Sequence, residues 1–300
     1  MKRMIGAVAC LALAVVSPVQ AQPSVEKNVV YGMHSGLALL MDVHRPAKAN
    51  GYGILHVAGS GWHAPLGYDA APLKESQIDT WGPPLVSAGY TVFAINHRSA
   101  PRFRYPAAVE DVQRAVRFVR HNARQYGVDP ARLGGIGGSS GAHLVGLVAM
   151  LRSPGIADDP DPVNREAATL ETVVLRAGPF EMAREPVSNA QVSFMGLLPQ
   201  GEGAKVYAAA SPITHVSAGA PPTLLLHGDA DDVVPIAHAE AMEKALRAAN
   251  VPVQLLRVPG GKHGPTFGGK AVRRPDWPDY LAATTAWFDR YLMTPAGAAR

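Results

Sequence analysis

The sequence predicts an α/β fold, in which a mostly parallel central sheet carries helices on both faces. Short apolar runs that end in glycine, typical of buried strands, alternate along the chain with amphipathic segments at helical spacing. The 300 residues are also 47% hydrophobic and only 17% charged, so the chain can bury a large core. We expect one domain over residues 22–300, since no repeat or low-complexity linker divides this part of the chain.

Residues 1–21 have the pattern of a secretory signal peptide. A basic start leads into an apolar run over 4–16, and a tripeptide of the A-x-A type ends at Ala21. A membrane anchor is the alternative, but the run is too short to span a bilayer and Pro18 ends it. We therefore expect cleavage after Ala21 and a periplasmic or extracellular protein. Cys10 is the only cysteine, so the mature chain would have none for a disulfide or a thiolate metal site.

In the first half of the mature chain, the pattern predicts four strands, a long loop and one clear helix. The helix covers 106–127, because valines recur at three- and four-residue spacing, Glu110 and Asp111 lie near its start, and Gly127 suits its C-terminal cap. The loop occupies 62–89 and leads into a short helix. The strands are expected at 25–32, 37–46, 51–59 and 90–98.

In the second half, strands and helices alternate more regularly. A strand of small residues ends at Gly138, and a helix follows from about Ser140 to Leu151. The segments 153–170 and 180–210 break the alternation, and we expect a small lid-like insertion over the top of the sheet from them. Further strands are expected at 171–179, 221–229 and 251–260, and further helices at 236–250 and 278–293.

Residues 137–141, Gly-Gly-Ser-Ser-Gly, fit the pattern G-x-S-x-G of a nucleophile elbow. In such an elbow the serine sits on a strained turn between strand and helix, and small neighbours let the two elements approach closely. A phosphate-binding loop is the alternative, but the stretch lacks a lysine, and Ser140 takes the last glycine position of G-x-G-x-x-G. The strand before it and the helix behind it favour Ser139 as a nucleophile. Ser140 would donate its backbone N–H to an oxyanion.

A serine hydroxyl is a weak nucleophile unless a histidine accepts its proton and a carboxylate orients that histidine. Suitable residues lie at the ends of two later strands: the strand at 221–229 ends in the first of three aspartates, and His263 follows the strand at 251–260. The order serine, acid, histidine is the one expected for this chemistry on an α/β sheet. Each residue alone could be an ordinary loop residue or a helix cap. Together, behind Ser139, they indicate catalysis. The three aspartates are Asp229, Asp231 and Asp232.

The glycine-rich segment after the third strand is expected to complete the site. Its glycines allow the backbone N–H of Ser60 or Gly61 to turn toward the same point as the Ser140 amide. A plain turn between strand and loop is the alternative. Trp62 and His63 follow directly and are candidates for lining a substrate pocket, although a tryptophan there could equally belong to the core.

Charge and histidine spacing exclude several other function classes. The formal net charge is +4, and no long basic run exists, so the sequence has no nucleic-acid footprint. The remaining histidines show no compact metal-ligand spacing such as H-E-x-x-H. We expect neither a metal nor an organic cofactor.

Several stretches resemble the α/β-hydrolase superfamily, and within it the hormone-sensitive-lipase-like and bacterial feruloyl-esterase-like esterases. The resemblance extends from about Gly53 to about Asp289. One departure lies in the oxyanion segment, which usually reads H-G-G-G-W in these esterases. Here Ala58 replaces the histidine and Ser60 replaces a glycine. The similar stretches are NHRSAPRFRYPAAVEDVQRAVRFVR (96–120), DPARLGGIGGSSGAHL (129–144), SPITHVSAGAPPTLLLHGDADDVVP (211–235) and GGKHG (260–264).

The resemblance implies a fold, a catalytic set and a reaction. In the resembling esterases the acid lies four residues after the histidine of the H-G pair, which singles out Asp231 behind His227. With Ser139 and His263, Asp231 would hydrolyse carboxylic esters through an acyl-enzyme. The implied substrates are short-chain acyl esters or acetyl or feruloyl esters of polysaccharides. Two alternatives are a peptidase related to the prolyl oligopeptidases, whose extra N-terminal domain has no room here, and a non-catalytic binding protein on the same scaffold.

Overall fold

The computed structural model of the protein describes residues 22–65, 67–268 and 275–293. The predicted signal peptide at 1–21 lies outside the described residues. These residues form an eight-stranded sheet with helices on both faces, which confirms the predicted α/β architecture. No helix within the described ranges is both long enough and apolar enough to cross a membrane.

The sheet of the described residues is mostly parallel. Its strands are β1 (Ser24–His34), β2 (Leu37–Arg45), β3 (Gly53–Val57), β4 (Thr91–Ile95), β5 (Leu133–Gly138), β6 (Thr172–Arg176), β7 (Thr223–Gly228) and β8 (Val253–Val258). Their order is β1-β2-β4-β3-β5-β6-β7-β8, and β2 alone runs against its neighbours. The carboxyl ends of β3 and β5–β8 therefore meet at one edge, the carboxyl edge, where parallel sheets place their sites.

Helices cover both faces of the sheet. They are α1 (Ile78–Ser87), α2 (Ala107–His121), α3 (Ala123–Tyr126), α4 (Ser140–Leu151), α5 (Asn189–Met195), α6 (Gly203–Ala209), α7 (Ala237–Ala248) and α8 (Tyr280–Phe288). Helices α2, α4 and α7 share one apolar core with the sheet, whereas α1 and α8 pack together on the opposite face. The chain thus buries both faces of β3 to β7, whose apolar runs show no alternation.

Helix α2 shows how the periodic pattern is used. The segment predicted as one helix over 106–127 divides at Asn122 into α2 and α3, and Gly127 closes it with a left-handed φ of 65°. The apolar stripe of α2 faces the sheet, since its four valines are at most 4% exposed. These valines are Val109, Val112, Val116 and Val119.

The segments 153–170 and 180–210, which break the alternation of strands and helices, lie in different parts of the fold. Residues 180–210 form α5 and α6 between β6 and β7, at the carboxyl edge, while their lid-like role stays a prediction. Residues 153–170 do not lie over the top of the sheet, contrary to expectation. They follow the far end of α4 and run along α2, where Arg117 and Arg120 donate to their backbone carbonyls. The physical reason is direction: α4 leads the chain away from the carboxyl edge.

Candidate active site

Ser139 lies at the sharp turn between β5 and α4. Its φ of 52° and ψ of −122° are unusual for a residue with a side chain, so the turn stores backbone strain. The strand and the helix approach so closely that a Cβ on Gly137 would lie 2.4 Å from the Gly141 carbonyl oxygen. The backbone N–H of Ser139 donates to the Arg176 carbonyl of β6 at 2.8 Å, which fixes the turn to the sheet. The small residues of the G-x-S-x-G stretch are thus required by this close packing.

The structure brings the three predicted side chains into one hydrogen-bonded chain. His263 lies after β8, and its Nε2 is 3.0 Å from Ser139 Oγ. Its Nδ1 is 2.8 Å from Asp231 Oδ2, in the loop after β7. With Nδ1–H donating to the carboxylate, Nε2 is free to accept the serine proton. This is the arrangement that activates a serine hydroxyl.

Among the three aspartates, Asp231 is the one that faces His263. Its Oδ1 accepts the backbone N–H groups of Val233 at 3.0 Å and Val234 at 2.9 Å. His227 Nε2, which donates to the Val234 carbonyl, also lies 3.4 Å from Asp231 Oδ2. Burial alone would raise the pKa of Asp231, but hydrogen bonds from His227, His263 and the Val234 amide outweigh burial and hold this pKa well below its usual range. The carboxylate is therefore ionised at neutral pH.

The other two aspartates point elsewhere. Asp229 is exposed and accepts the Gly260 backbone N–H at 2.6 Å, so it closes the turn between the two loops. Asp232 is exposed as well. The spacing taken from the resembling esterases thus selected the residue that the fold places beside the imidazole.

The oxyanion loop, residues 58–63, lies beside the nucleophile turn. The Ser60 backbone N–H donates to Ser140 Oγ at 2.9 Å, and the Gly59 backbone N–H is 3.4 Å from Gln77 Oε1. The expectation that Ser60 offers a free N–H therefore does not hold, because the Ser140 hydroxyl occupies it. Among the described residues, the amides of Gly61 and Ser140 have no acceptor. These two amides could receive an oxyanion.

Trp62 is an interior residue, which corrects its assignment to the pocket lining. Its side chain is only 3% exposed, so it has almost no surface to offer a substrate. The indole stacks on Phe194 of α5 at 4.9 Å and donates to His143 Nδ1 at 3.1 Å. His143 in turn donates from Nε2 to the Ala210 carbonyl at 2.7 Å, and burial lowers its pKa to about 4, so it stays neutral. Trp62 thus ties the oxyanion loop to α4 and α5.

His63, the other predicted pocket residue, is partly buried and makes a second tie to α5. Its Nδ1 is 2.6 Å from the Gly61 carbonyl, and its Nε2 is 3.1 Å from Ser193 Oγ. The loop that lacks the usual histidine at Ala58 is therefore held by other side chains. A pocket role for His63 stays a prediction.

Sequence reasoning missed several side chains that support these loops. Gln77, Phe194 and Ser193 lie in segments with no motif, so no local signal marked them. Arg176 had one signal, since it is a charged residue at the end of an otherwise apolar strand. No group of three or more histidine, cysteine, aspartate or glutamate side chains in the described parts of the chain could hold a metal ion.

Comparisons with known proteins support the same interpretation. Residues 41–246 match the sequence model of the BD-FAE family. Over 190 residues the chain is 33% identical to Esterase LipQ of Mycobacterium tuberculosis, a stretch that is 60% of this chain and 44% of LipQ. The chain therefore spans less than half the length of this curated relative.

Two solved structures resemble the fold over most of its length. A truncated form of a carbohydrate esterase from gut microbiota has a TM-score of 0.76 and 27% identity, covering 92% of this chain and 98% of that chain. A bifunctional GH43-CE protein of Bacteroides eggerthii has a TM-score of 0.74 and 26% identity, covering 89% of this chain and 38% of that chain. Since the family match covers more than half of the sequence, the chain belongs to the BD-FAE family, in the esterase group of α/β-hydrolases that its motifs resemble.

Proposed function

We propose that this protein is an exported serine esterase, which hydrolyses carboxylic esters through an acyl-enzyme. The observation that carries the proposal is the hydrogen-bonded chain from Ser139 Oγ through His263 to Asp231. At Ser139 this chain meets the nucleophile turn and the oxyanion loop, where the amides of Ser140 and Gly61 have no acceptor among the described residues. A nucleophile, a base, an acid and oxyanion donors are the four parts that ester hydrolysis needs.

In the proposed acylation step, Ser139 Oγ forms a bond to the ester carbonyl carbon while its proton moves to His263 Nε2. Asp231 holds the imidazole in the required tautomer and stabilises its cation. The carbonyl electrons move to oxygen, and the amides of Gly61 and Ser140 stabilise that oxyanion. When the carbonyl re-forms, the bond to the leaving alcohol breaks, and the alcohol takes the proton from His263.

Deacylation repeats these steps with water in place of the serine. His263 accepts a proton from the water as the water oxygen attacks the acyl carbon. Collapse of the second tetrahedral intermediate releases the carboxylic acid and returns the proton to Ser139 Oγ. The residues of the site supply every proton transfer, and the cycle ends with the enzyme as it began.

The proposed substrates are short-chain acyl esters or acetyl or feruloyl esters of polysaccharides. The carbohydrate esterase from gut microbiota and the GH43-CE protein support the carbohydrate-linked class, and LipQ supports an esterase activity in general. A panel of p-nitrophenyl esters of increasing acyl length, next to acetylated xylan and a feruloyl ester, tests this choice. We expect turnover of acetate above that of long-chain esters.

The competing proposals are a peptidase and a non-catalytic binding protein. A p-nitrophenyl acetate assay beside a peptide anilide assay separates them, with Ser139→Ala as the inactive form and Ser217→Ala, an exposed serine, as the matched control. The proposal expects ester turnover that is lost in Ser139→Ala and kept in Ser217→Ala. Cleavage of the anilide alone would identify a peptidase, and no turnover of either would favour the binding protein.

Export is part of the proposal and rests on residues 1–21, which lie outside the described residues. The basic start, the apolar run and the small residue at Ala21 support it. N-terminal sequencing of the protein from the periplasm or medium tests it. We expect Gln22 at the N-terminus, whereas an intact Met1 or a lipid on Cys10 contradicts export by this route.

A further inference from the structure

We infer that Arg176 and Gln77 form a link between the oxyanion loop and the histidine loop, residues 259–268, and that this link positions both loops for catalysis. The inference rests on the proposed function, since it concerns the geometry of the same site. Arg176 is the last residue of β6, and its side chain is 1% exposed. Gln77 directly precedes α1, which packs on the sheet face opposite α2, α4 and α7.

A buried guanidinium is costly unless strong partners compensate for its lost hydration. No carboxylate in the described parts of the chain lies within ion-pair distance of Arg176. Burial lowers the pKa of Arg176 to about 10, although attraction from Asp231 opposes that change. The group is therefore charged at neutral pH, and its hydrogen bonds, rather than an ion pair, must account for its place.

The two terminal nitrogens of Arg176 reach two different segments. Nη1 donates to the Gly264 carbonyl at 2.7 Å, and Gly264 directly follows His263. Nη2 donates to Gln77 Oε1 at 3.1 Å. The planar fork of the guanidinium fixes the direction of both bonds at once, which a lysine could not do.

Gln77 carries the contact on to the oxyanion loop. Its Nε2 donates to the Gly59 carbonyl at 3.2 Å, and its Oε1 lies 3.4 Å from the Gly59 backbone nitrogen. Gln77 itself has a φ of 62°, which is uncommon for a residue with a side chain. Its contacts with Gly59 and Arg176 compensate for that backbone conformation.

Arg176 also packs against the nucleophile turn. A Cβ on Gly138 would lie 2.0 Å from Arg176 Nη2, so the guanidinium rests directly on the residue before Ser139. One side chain thus touches the nucleophile turn and the histidine loop, and reaches the oxyanion loop through Gln77. Removing it would let the base and the oxyanion amides shift relative to Ser139 without changing any of the reacting groups.

A purely structural role predicts a different result from a positioning role. An arginine that only stabilises the fold would lower the melting temperature and leave kcat of the folded enzyme unchanged. Arg120 serves as the matched control, since it donates to the carbonyls of Ala167 at 3.0 Å and Thr169 at 2.8 Å, away from the site. Arg120→Gln should lower Tm and keep kcat within about 2-fold.

The experiment measures kcat, KM and Tm of Arg176→Gln, Gln77→Leu and the double variant on p-nitrophenyl acetate. We expect each single change to lower kcat by ~10- to 100-fold with KM within about 3-fold, because misplacement of catalytic groups acts on the transition state. The double variant should be no more than about 3-fold slower than the slower single variant, since both changes break the same link. Arg176→Lys, which keeps the charge without the fork, should fall between the wild type and Arg176→Gln.

Unchanged kcat in both single variants, or effects that multiply in the double variant, would overturn the link. If Arg176→Gln does not fold, Gln77→Leu decides the question alone, because Gln77 is only partly buried. Ser139→Ala separates failure of the link from failure of the proposed function. Loss of turnover in Ser139→Ala with normal kcat in the link variants overturns the link alone, whereas wild-type turnover in Ser139→Ala overturns the proposed function.

Discussion

Side chains donate to loop backbone both along α2 and at the carboxyl edge of the sheet, but the loops that they hold differ. Along α2, Arg117 and Arg120 donate to carbonyls of the segment 153–170, which carries no residue of the candidate site. At the carboxyl edge, Arg176 donates to the Gly264 carbonyl beside His263. The bonds are of the same chemical kind and of similar length.

The location of such a bond decides whether it contributes to stability alone or also to the rate. A lost bond along α2 should cost stability alone, because nothing there has to be aligned for chemistry. A lost bond at the carboxyl edge should also cost rate, since backbone amides and an imidazole must stay aligned with Ser139.

Asp231→Asn should have the largest effect. An amide of the same shape fixes the imidazole tautomer badly, and we expect kcat to fall by up to ~10⁴-fold, as in the serine proteases. Asp232→Asn is the control, since Asp232 is exposed and does not contact His263. Steady-state kinetics with circular dichroism of both variants measure the difference. If Asp232→Asn were inactive and Asp231→Asn stayed active, the acid would be Asp232 and not Asp231.

The pH profile of kcat/KM should show a single protonation step on its acid side. The pKa of Asp231 lies well below its usual range, so Asp231 keeps its charge as the pH falls through the weakly acidic range. Protonation of Asp231 then adds no step to the profile, and kcat/KM should fall no more steeply than about 10-fold per pH unit on the acid side. Profiles between about pH 4.5 and 8 measure the slope. A slope of two would mean that Asp231 titrates in the same range.

Ser140→Ala should show a cost that the sequence alone did not indicate. From the sequence we expected only the N–H of Ser140 to matter, yet its hydroxyl accepts the Ser60 amide and is buried. We expect kcat to fall roughly 10-fold, because a half-buried donor of the oxyanion loop loses its partner. Ser153→Ala is the control, since the Ser153 hydroxyl accepts Gln113 Nε2 at 2.8 Å beside α2. Equal kcat in both variants would contradict the division between the two regions.

Trp62→Phe should have the smallest effect on rate and a clear effect on stability. The ring can still stack on Phe194, but the buried His143 Nδ1 loses its donor, which we expect to cost ~1–3 kcal/mol of unfolding free energy. Trp277→Phe is the control, because Trp277 Nε1 donates to the Pro259 carbonyl at an exposed position. Denaturant unfolding of both variants measures the difference. Equal unfolding free energies would show that the buried bond contributes nothing.

Much of the fold and of the candidate catalytic set could be predicted because the signals are local. Buried strands end in glycine, and a nucleophile elbow needs small residues within two positions of Ser139. Asp231 follows His227 at the spacing found in the resembling esterases. Ser139, Asp231 and His263 each follow a strand, and because those strands are parallel the three residues lie at one edge. Periodicity likewise marked α2 and its apolar stripe.

The supports of the oxyanion loop could not be predicted, because their partners are distant in sequence. The Ser60 amide meets a hydroxyl 80 positions away, and Trp62 meets His143 81 positions away. A tryptophan after a glycine-rich turn has the same local pattern whether it lines a pocket or fills the core. The segment 153–170 was misplaced for a related reason, since its course depends on the arginines of α2 rather than on its own pattern.

The site of covalent labelling is the most direct test of the proposal that Ser139 is the nucleophile. Treatment with a fluorophosphonate, followed by digestion and mass spectrometry, locates the activated hydroxyl. We predict a single adduct on Ser139, lost in Ser139→Ala and much slower to form in Asp231→Asn, whose imidazole is poorly held. An adduct on Ser140, or no adduct in an enzyme that turns over esters, would contradict it.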